Sequence, residues 1–433
     1  MNEPFERARS LFVDGVQDFE AGRYAAAESK FQASLVLLPG RVSTLNNLGA
    51  TLIKLGRPDE ALRTLQQVLA VEPGNQDAWS HRGVALGDLG RFDEAVACFD
   101  RVLAADPGRA TAWFFRAIAL YELKRYADTL AAFDRLLALE PDHAEGWLRR
   151  GQTLQSLGRQ DDALASYDRA LAIEPDLAQA WTSRGSILRD QGRNEEAAAA
   201  FEQALAHGGD ADLNGYFLAA VKGEATPVAA PRHIVQDLFD AYAESFDRHL
   251  VGELQYQTPG VLVANLKELG ERRFRHALDL GCGTGLCGPL LKPFVEDLDG
   301  LDLSSQMLDR ARQLGVYERL VQADVVEYLR ATDQRHDLVL AADVFVYIGD
   351  LEPVFEGVRR VLEPGGVFCF SAEVPAGETD FELKSSMRYG HAERYLRRLA
   401  REHGFAILRM VGHVLRVEGG QPVDGLYVYL GRT

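Results

Sequence analysis

The stretch His276–Leu291 reads HALDLGCGTGLCGPLL. A short apolar run carries one acid, Asp279, and glycines then fall at 281, 283, 285 and 288. Glycines so spaced after an apolar run predict a buried strand that ends in a tight turn, where the backbone can approach a ligand. Downstream, DLDGLDL (297–303), RLVQA (319–323), DLVLAA (337–342) and GVFCFSA (366–372) read as further buried strands. SSQMLDRARQL (304–314) and LEPVFEGVRRVLEPGG (351–366) between them read as helices. This alternation predicts a parallel sheet covered by helices on both faces, with ligands at the carboxyl ends of its strands.

Two cofactor classes compete for such a turn. A dinucleotide presents a pyrophosphate, which seeks glycine amides and a helix N-terminus with no acid nearby. S-adenosylmethionine presents a cationic amino-acid end, a ribose diol and an adenine. Asp279, two residues before Gly281, repels the first and suits the second. Asp302, at the end of the second strand, can accept ribose hydroxyls of either cofactor. Asp324, at the end of the third, can accept from an adenine amino group.

The run Asp279-Leu280-Gly281-Cys282-Gly283-Thr284-Gly285, with Asp302 and Asp324 at successive strand ends, resembles the class I S-adenosylmethionine-dependent methyltransferases over residues 232–433. The resemblance implies a Rossmann-like α/β domain, with a mostly parallel seven-stranded sheet and a C-terminal antiparallel hairpin. It further implies that the turn 281–285 cradles the methionine part of the cofactor, whose product form is S-adenosylhomocysteine. Asp302 would hold the ribose, Leu303 and Met307 flank the purine, and Asp324 with Val325 contact the adenine. Ala342 and Asp343 would end the fourth strand beside the methionine and the methyl acceptor. FAILRMVGHVLRV (405–417) and GLYVYLGR (425–432) would form the hairpin. Ile234, Leu238, Tyr242 and Phe246 share one helical face, and the resemblance makes residues 232–270 a helical lid, with Tyr242 and Phe246 against the cofactor.

The first half repeats at an offset of 34 residues. Gly15, Gly49, Gly83, Ala117, Gly151 and Gly185 share one position, and Trp79, Trp113, Trp147 and Trp181 another. Phe31, Leu65, Phe99, Phe133, Tyr167 and Phe201 share a third, and prolines 39, 73, 107, 141 and 175 close the units. Small residues recur where two helices must approach, large ones fill the gap, and proline ends the second helix. The pattern resembles about six tetratricopeptide repeats, an all-α superhelix. The expected layout is a solenoid with capping helix over 5–222, a linker over 223–231 (GEATPVAAP) and the methyltransferase domain over 232–433. The cap falls near 211–222, where ADLNGYFLAAVKG carries an apolar stripe. The tryptophans occupy a packing position. In this repeat family the first helices line a concave groove, here offering Asn46, Ser80, Phe114, Leu148 and Thr182. Phe114, Phe115 and Tyr121 form a candidate anchor for a peptide or protein partner.

Composition bounds the remaining classes. Net charge is −17, spread almost evenly over both halves, which disfavours nucleic-acid binding. No apolar run approaches the roughly 20 residues of a membrane span, and the N-terminus lacks a signal pattern, so a cytoplasmic protein is expected. Cys98, Cys282, Cys287 and Cys369 are too scattered for a disulfide framework or a metal site. Residues 342–350, ADVFVYIGD, lack the Asn/Asp-Pro-Pro-aromatic turn of nucleobase amine methyltransferases, and the paired-glutamate loop of arginine methyltransferases is not visible. O-, N- or C-methylation of a small molecule, peptide or protein remains. His249, Tyr256, Tyr347, Tyr389 and His391 are candidates for a general base, and Arg388 for pairing with an acceptor carboxylate. Because a small-molecule enzyme needs no docking superhelix, the leading expectation is that the repeats recruit the acceptor. The alternatives are a small-molecule enzyme whose repeats serve assembly, and a non-catalytic scaffold that only binds the cofactor.

Overall fold

The computed structural model describes residues 3–223, 226–243, 246, 256–418 and 421–433. It divides into two compact units, Met1–Ile187 and Leu188–Thr433.

The first unit is built from antiparallel helix pairs: α1 (Glu3–Glu20) with α2 (Tyr24–Leu37), α3 (Val42–Lys54) with α4 (Pro58–Val71), and α5 (Gln76–Asp88) with α6 (Phe92–Ala105). Then come α7 (Ala110–Glu122) with α8 (Tyr126–Leu139), α9 (Ala144–Ser156) with α10 (Gln160–Ile173), and α11 (Ala178–Asp190). The repeated glycine is explained by distance. A Cβ on Gly83 would lie 2.6 Å from the Phe99 ring, and one on Gly151 only 2.4 Å from the Tyr167 ring. The large residue of the second helix therefore seats directly on the backbone of the first. Each repeat tryptophan is half-buried rather than central: its indole Nε1 donates to the carbonyl of Pro73, Pro107, Pro141 or Pro175 at 2.8–2.9 Å. That bond ties a helix start to the proline that closed the preceding pair. Phe114 stacks on His143 of the following pair, with centroids 5.3 Å apart.

The second unit opens with α12 (Asn194–Ala206) and α13 (Ala211–Lys222). Asp210 caps α13 by accepting from the Leu213 amide at 2.9 Å, and Gly223 ends it at φ 66°, the left-handed stop that glycine favours. Residues 228–231 are held by backbone bonds: the Ala230 amide donates to the Tyr347 carbonyl at 2.9 Å, and the Gly349 amide to that of Val228 at 2.8 Å. Then follow α14 (Arg232–Tyr242), α15 (Thr258–Lys267), β1 (Phe274–Leu280), α16 (Gly288–Leu291), β2 (Val295–Asp302), α17 (Ser305–Gln313) and β3 (Arg319–Gln322). The chain continues through α18 (Val325–Ala331), β4 (His336–Ala341), α19 (Glu352–Val361), β5 (Leu362–Glu373), β6 (Phe381–Leu383), β7 (Tyr389–His391), α20 (Glu393–Glu402), β8 (Phe405–Glu418) and β9 (Gln421–Arg432).

Strands β3-β2-β1-β4-β5 run parallel in that order; β9 joins β5 antiparallel and β8 joins β9. These are the seven strands expected, and the short β6–β7 hairpin adds two more, meeting β5 at Glu373↔Gly390. The hairpin was not foreseen from the sequence. The helix expected over 351–366 stops at Val361, and residues 362–366 already belong to β5, because Pro364 and the left-handed Gly365 cannot continue a helix. One apolar layer packs α18, α19 and α20 on one face of the sheet around Phe355, Phe368 and Leu399, and a second packs α15 on the other around Leu262, Cys369 and Tyr429. The strand order reverses between β1 and β4, and that crevice carries the site.

Candidate active site

β1 ends by delivering Asp279, only 1% exposed, to the start of the glycine turn. Its Oδ2 accepts from the Tyr317 hydroxyl at 2.7 Å. Burial raises its pKa to about 7, against the opposing pull of the Tyr317 bond. Gly281 sits at φ 61°, and a Cβ there would strike Val344 at 2.6 Å. Gly283, at φ 55°, meets nothing nearer than Phe246 at 4.0 Å, so a side chain there would project into the adjoining cavity. β2 ends at Asp302, whose Oδ2 accepts from the Gly283 amide and whose Oδ1 accepts from the Ser304 amide, each at 2.9 Å. Burial nonetheless moves its pKa up, because the two amide bonds compensate only part of the lost hydration.

Gly281, Gly283, Asp302 and Val344 border a cavity of about 500 Å3, and Asp279 with its partner Tyr317 lies behind that lining. Gly281, Gly283, Asp302, Leu303, Asp324 and Val325 line the cavity together with Ala342, Asp343, Tyr347, Tyr256 and Phe246. Asp324 also caps α18, with Oδ1 accepting from the Glu327 amide at 3.0 Å, and its Oδ2 lies 3.3 Å from Arg232 Nε. Other sequence candidates stand back from the cavity. Leu280, Cys282, Thr284, Gly285 and Met307 are buried in the turn and its support. Tyr242 packs edge-on against Phe246 at 5.4 Å. Tyr389 and His391 are both 0% exposed and lie behind the lining. His391 Nε2 is 2.9 and 3.0 Å from the carbonyls of Ile348 and Gly349, and burial lowers its pKa to about 4 although those carbonyls oppose the shift. The imidazole is thus a neutral donor to the loop after β4. His249 lies outside the described residues.

Other contributors had no signal in the sequence. Arg416, 3% exposed on β8, lines the cavity. Its Nη2 pairs with Glu373 Oε1, and its Nη1 lies 3.5 Å from Asp343 Oδ2. Glu373 is 1% exposed and also receives Lys384 Nζ at 3.1 Å. Arg388, which the sequence did single out, sits on the turn before β7, lines the same region and pairs with Glu418. Asp343 sits at φ 57°; its amide donates to Ser371 Oγ at 2.8 Å, and that hydroxyl donates back to its Oδ1 at 2.7 Å. Burial raises the pKa of both Tyr256 and Tyr347; Asp343 adds to the first shift, whereas Arg388 opposes the second. Neither phenol is a base at neutral pH. Among the described residues, no group of three His, Cys, Asp or Glu side chains is placed to hold a metal ion, and no helix is long and apolar enough to cross a membrane.

Comparison with known proteins matches residues 278–370 to a methyltransferase domain family. Residues 18–82, 83–144, 126–178 and 148–212 match tetratricopeptide repeat families. The malonyl-[acyl-carrier protein] O-methyltransferase of Pseudescherichia vulneris is 33% identical over 169 residues, which are 38% of this chain and 64% of that protein. The enzyme of the same name from Enterobacter lignolyticus is 31% identical over 182 residues, 41% of this chain and 69% of that protein. This chain therefore spans about two thirds of each relative's length. Among solved structures, magnesium protoporphyrin IX methyltransferase from Synechocystis PCC 6803, with bound S-adenosylhomocysteine, aligns at 17% identity and a TM-score of 0.38, over 47% of this chain and 99% of that one.

Proposed function

We propose, for a chain that belongs to the class I methyltransferases and carries tetratricopeptide repeats in front of the catalytic fold, that it transfers methyl from S-adenosylmethionine to an oxygen of an anionic acceptor. The acceptor is carried by a peptide or protein that the repeats recruit in the cytoplasm. The observation that supports the cofactor most is the Asp302 carboxylate, clamped between the Gly283 and Ser304 amides at the rim of a glycine cradle that a Cβ would fill. When bound, S-adenosylmethionine supplies a methyl group made electrophilic by its cationic sulfur. The chain's own residues do the rest. Gly281 and Gly283 give the amino-acid end close access to backbone, and Asp279, backed by Tyr317, supplies compensating negative charge. Asp302 receives ribose hydroxyls, and Asp324, Val325 and Leu303 border the base. Phe246 and Tyr256 exclude water.

For the acceptor, Arg388 and Arg416 line the cavity with Asp343 and Tyr347, whereas the third lining arginine, Arg232, is paired with Asp324 and Glu327; Arg388 and Arg416 would orient an anion. A carboxylate is already deprotonated at neutral pH and needs no general base, which suits a site whose phenols are pushed up and whose His391 is locked to two carbonyls. The O-methyltransferase names of the two bacterial relatives agree with an oxygen acceptor.

Calorimetry with S-adenosylhomocysteine tests the cofactor. Asp302→Ala should weaken binding about 100-fold, from the loss of hydrogen bonds to a charged group; equal binding by the variant removes the site. Labelled S-adenosylmethionine with the full chain in lysate tests the acceptor. Label on protein that alkali releases as methanol is the expected result. Alkali-stable label overturns the carboxylate, and label on small molecules alone overturns recruitment.

A further inference from the structure

Helix α13 ends the repeat-like part of the sequence, yet its contacts belong to the cavity wall. Tyr216 on α13 is 4% exposed and clusters with Ala230, Val235, Leu383 and Tyr389, of which Ala230 and Val235 line the cavity. Its hydroxyl donates to the Met387 carbonyl at 2.8 Å, across 171 residues of sequence. Met387 lies in the turn between β6 and β7 and has φ 64°, a conformation disfavoured for any residue with a Cβ. The turn closes on itself through the Met387 amide to the Lys384 carbonyl and the Lys384 amide to the Arg388 carbonyl, both at 2.9 Å. The next residue, Arg388, lines the cavity and pairs with Glu418. Behind the turn, the Tyr216 ring lies 6.2 Å from that of Tyr389. Tyr389 is in turn wedged so closely on Gly349 that a Cβ there would be 2.6 Å from its ring.

We propose that Tyr216 is a positioning residue for the acceptor end of the cavity: by holding the Met387 carbonyl it keeps a left-handed turn that presents Arg388 to the anionic group of the acceptor. Helix α13 then does more than cap repeats. It braces, from behind the lining, the turn that carries Arg388, and the arginine that chooses the acceptor is set by a residue from the repeat-like sequence. This rests on the proposed methyl transfer only in calling that end the acceptor's.

The test uses the full chain as wild type, Tyr216→Phe, Met387→Gly and the double variant. Hydrogen exchange should show residues 384–391 losing protection about 2- to 10-fold in Tyr216→Phe, the scale of one net hydrogen bond, with residues 274–302 unchanged. S-adenosylhomocysteine affinity should stay within about twofold, since Tyr216 does not line the cofactor end. The half-saturating concentration of the lysate acceptor should rise about 2- to 10-fold at unchanged maximal labelling, the split expected for lost uniform binding. In the Met387→Gly background the Tyr216→Phe effect should shrink, because glycine holds a left-handed φ unaided. Three results overturn the proposal: unchanged protection at 384–391, protection lost throughout 188–433, or an effect of equal size in both backgrounds. Exchange reads the turn without turnover, so a chain that binds no cofactor would sink the methyl-transfer proposal separately.

Discussion

Arginine is paired with acid in both units, with different consequences. In the repeats, Arg116, Arg150 and Arg184 each lie three residues after a tryptophan and reach an aspartate sixteen residues back: Asp100, Asp134 and Asp168, at 2.7, 2.8 and 2.8 Å. The guanidinium groups also lie 5.6–5.8 Å from the rings of Trp113, Trp147 and Trp181. Their aspartate partners are more than half exposed, so water screens each pair and the loss of one is minor. In the catalytic unit the side chains of Arg416 and Glu373 are 3% and 2% exposed and share a network with Asp343, Lys384, Arg388 and Glu418. Removing one member there strands a charge in a medium that cannot solvate it. The repeats carry this pair as an outer trim copied in three successive units; the catalytic unit carries its network once, inside, where it shapes the cavity.

The largest effect should come from breaking the interior pair. Arg416→Gln is expected to destabilise residues 188–433 by about 3–5 kcal/mol, as for a buried pair with one partner removed. Amide exchange across β5 and β8 is the measurement, and Glu373→Gln in the same chain should recover part of the loss. If the single variant changes exchange no more than a surface substitution does, the network is not what organises that end of the sheet.

Next comes acidity. His336 begins β4 at 2% exposure, and burial, helped by the charges of His276 and Arg319, lowers its pKa to about 4. The unfolded chain binds that proton near the ordinary value of 6.5, so its contribution is present above pH 6.5 and is lost as pH falls towards 4. Asp279, raised to about 7, works in the opposite direction over the same range. The difference between wild type and His336→Phe is therefore the quantity to read. It should move by about 2 kcal/mol in favour of the variant between pH 7 and pH 5, since each tenfold change in proton affinity between folded and unfolded chain is worth about 1.4 kcal/mol. A pH-independent difference would mean that the imidazole is not held neutral.

The smallest effect closes the comparison. Arg116→Gln should change the stability of the first unit by no more than about 1 kcal/mol. The four tryptophans all lie in residues 1–187, so their fluorescence during denaturation reports that unit alone. A loss comparable to that of Arg416→Gln would erase the distinction between trim and interior.

Legibility differed between the two units for the same reason. Six copies of one pattern let the sequence reveal the repeat geometry, because the Gly151–Tyr167 contact is the Gly83–Phe99 contact moved along the chain. In the second unit the glycine turn, Asp302, Asp324 and the fourth strand end were legible because each follows a strand within a few residues. Their lining of a single cavity follows from the sheet order. The residues that tune those groups were not legible. Tyr317 reaches Asp279 across 38 residues, Arg416 reaches Glu373 across 43, and Tyr216 reaches Met387 across 171. His391, a candidate base by residue type, is buried and spans two loop carbonyls, a placement its local sequence does not record.

The sequence by itself determined the repeat period, the strand and helix alternation and the identity of the strand-end acids, since periodicity and turn chemistry are local and act through the nearest few residues. Only the tertiary structure decided which aromatic rings face the cavity, which arginine is buried beneath it, and that α13 packs on the β6–β7 turn. Burial and pairing over long separations are settled by how sheet and helices close on one another, and no local pattern records that.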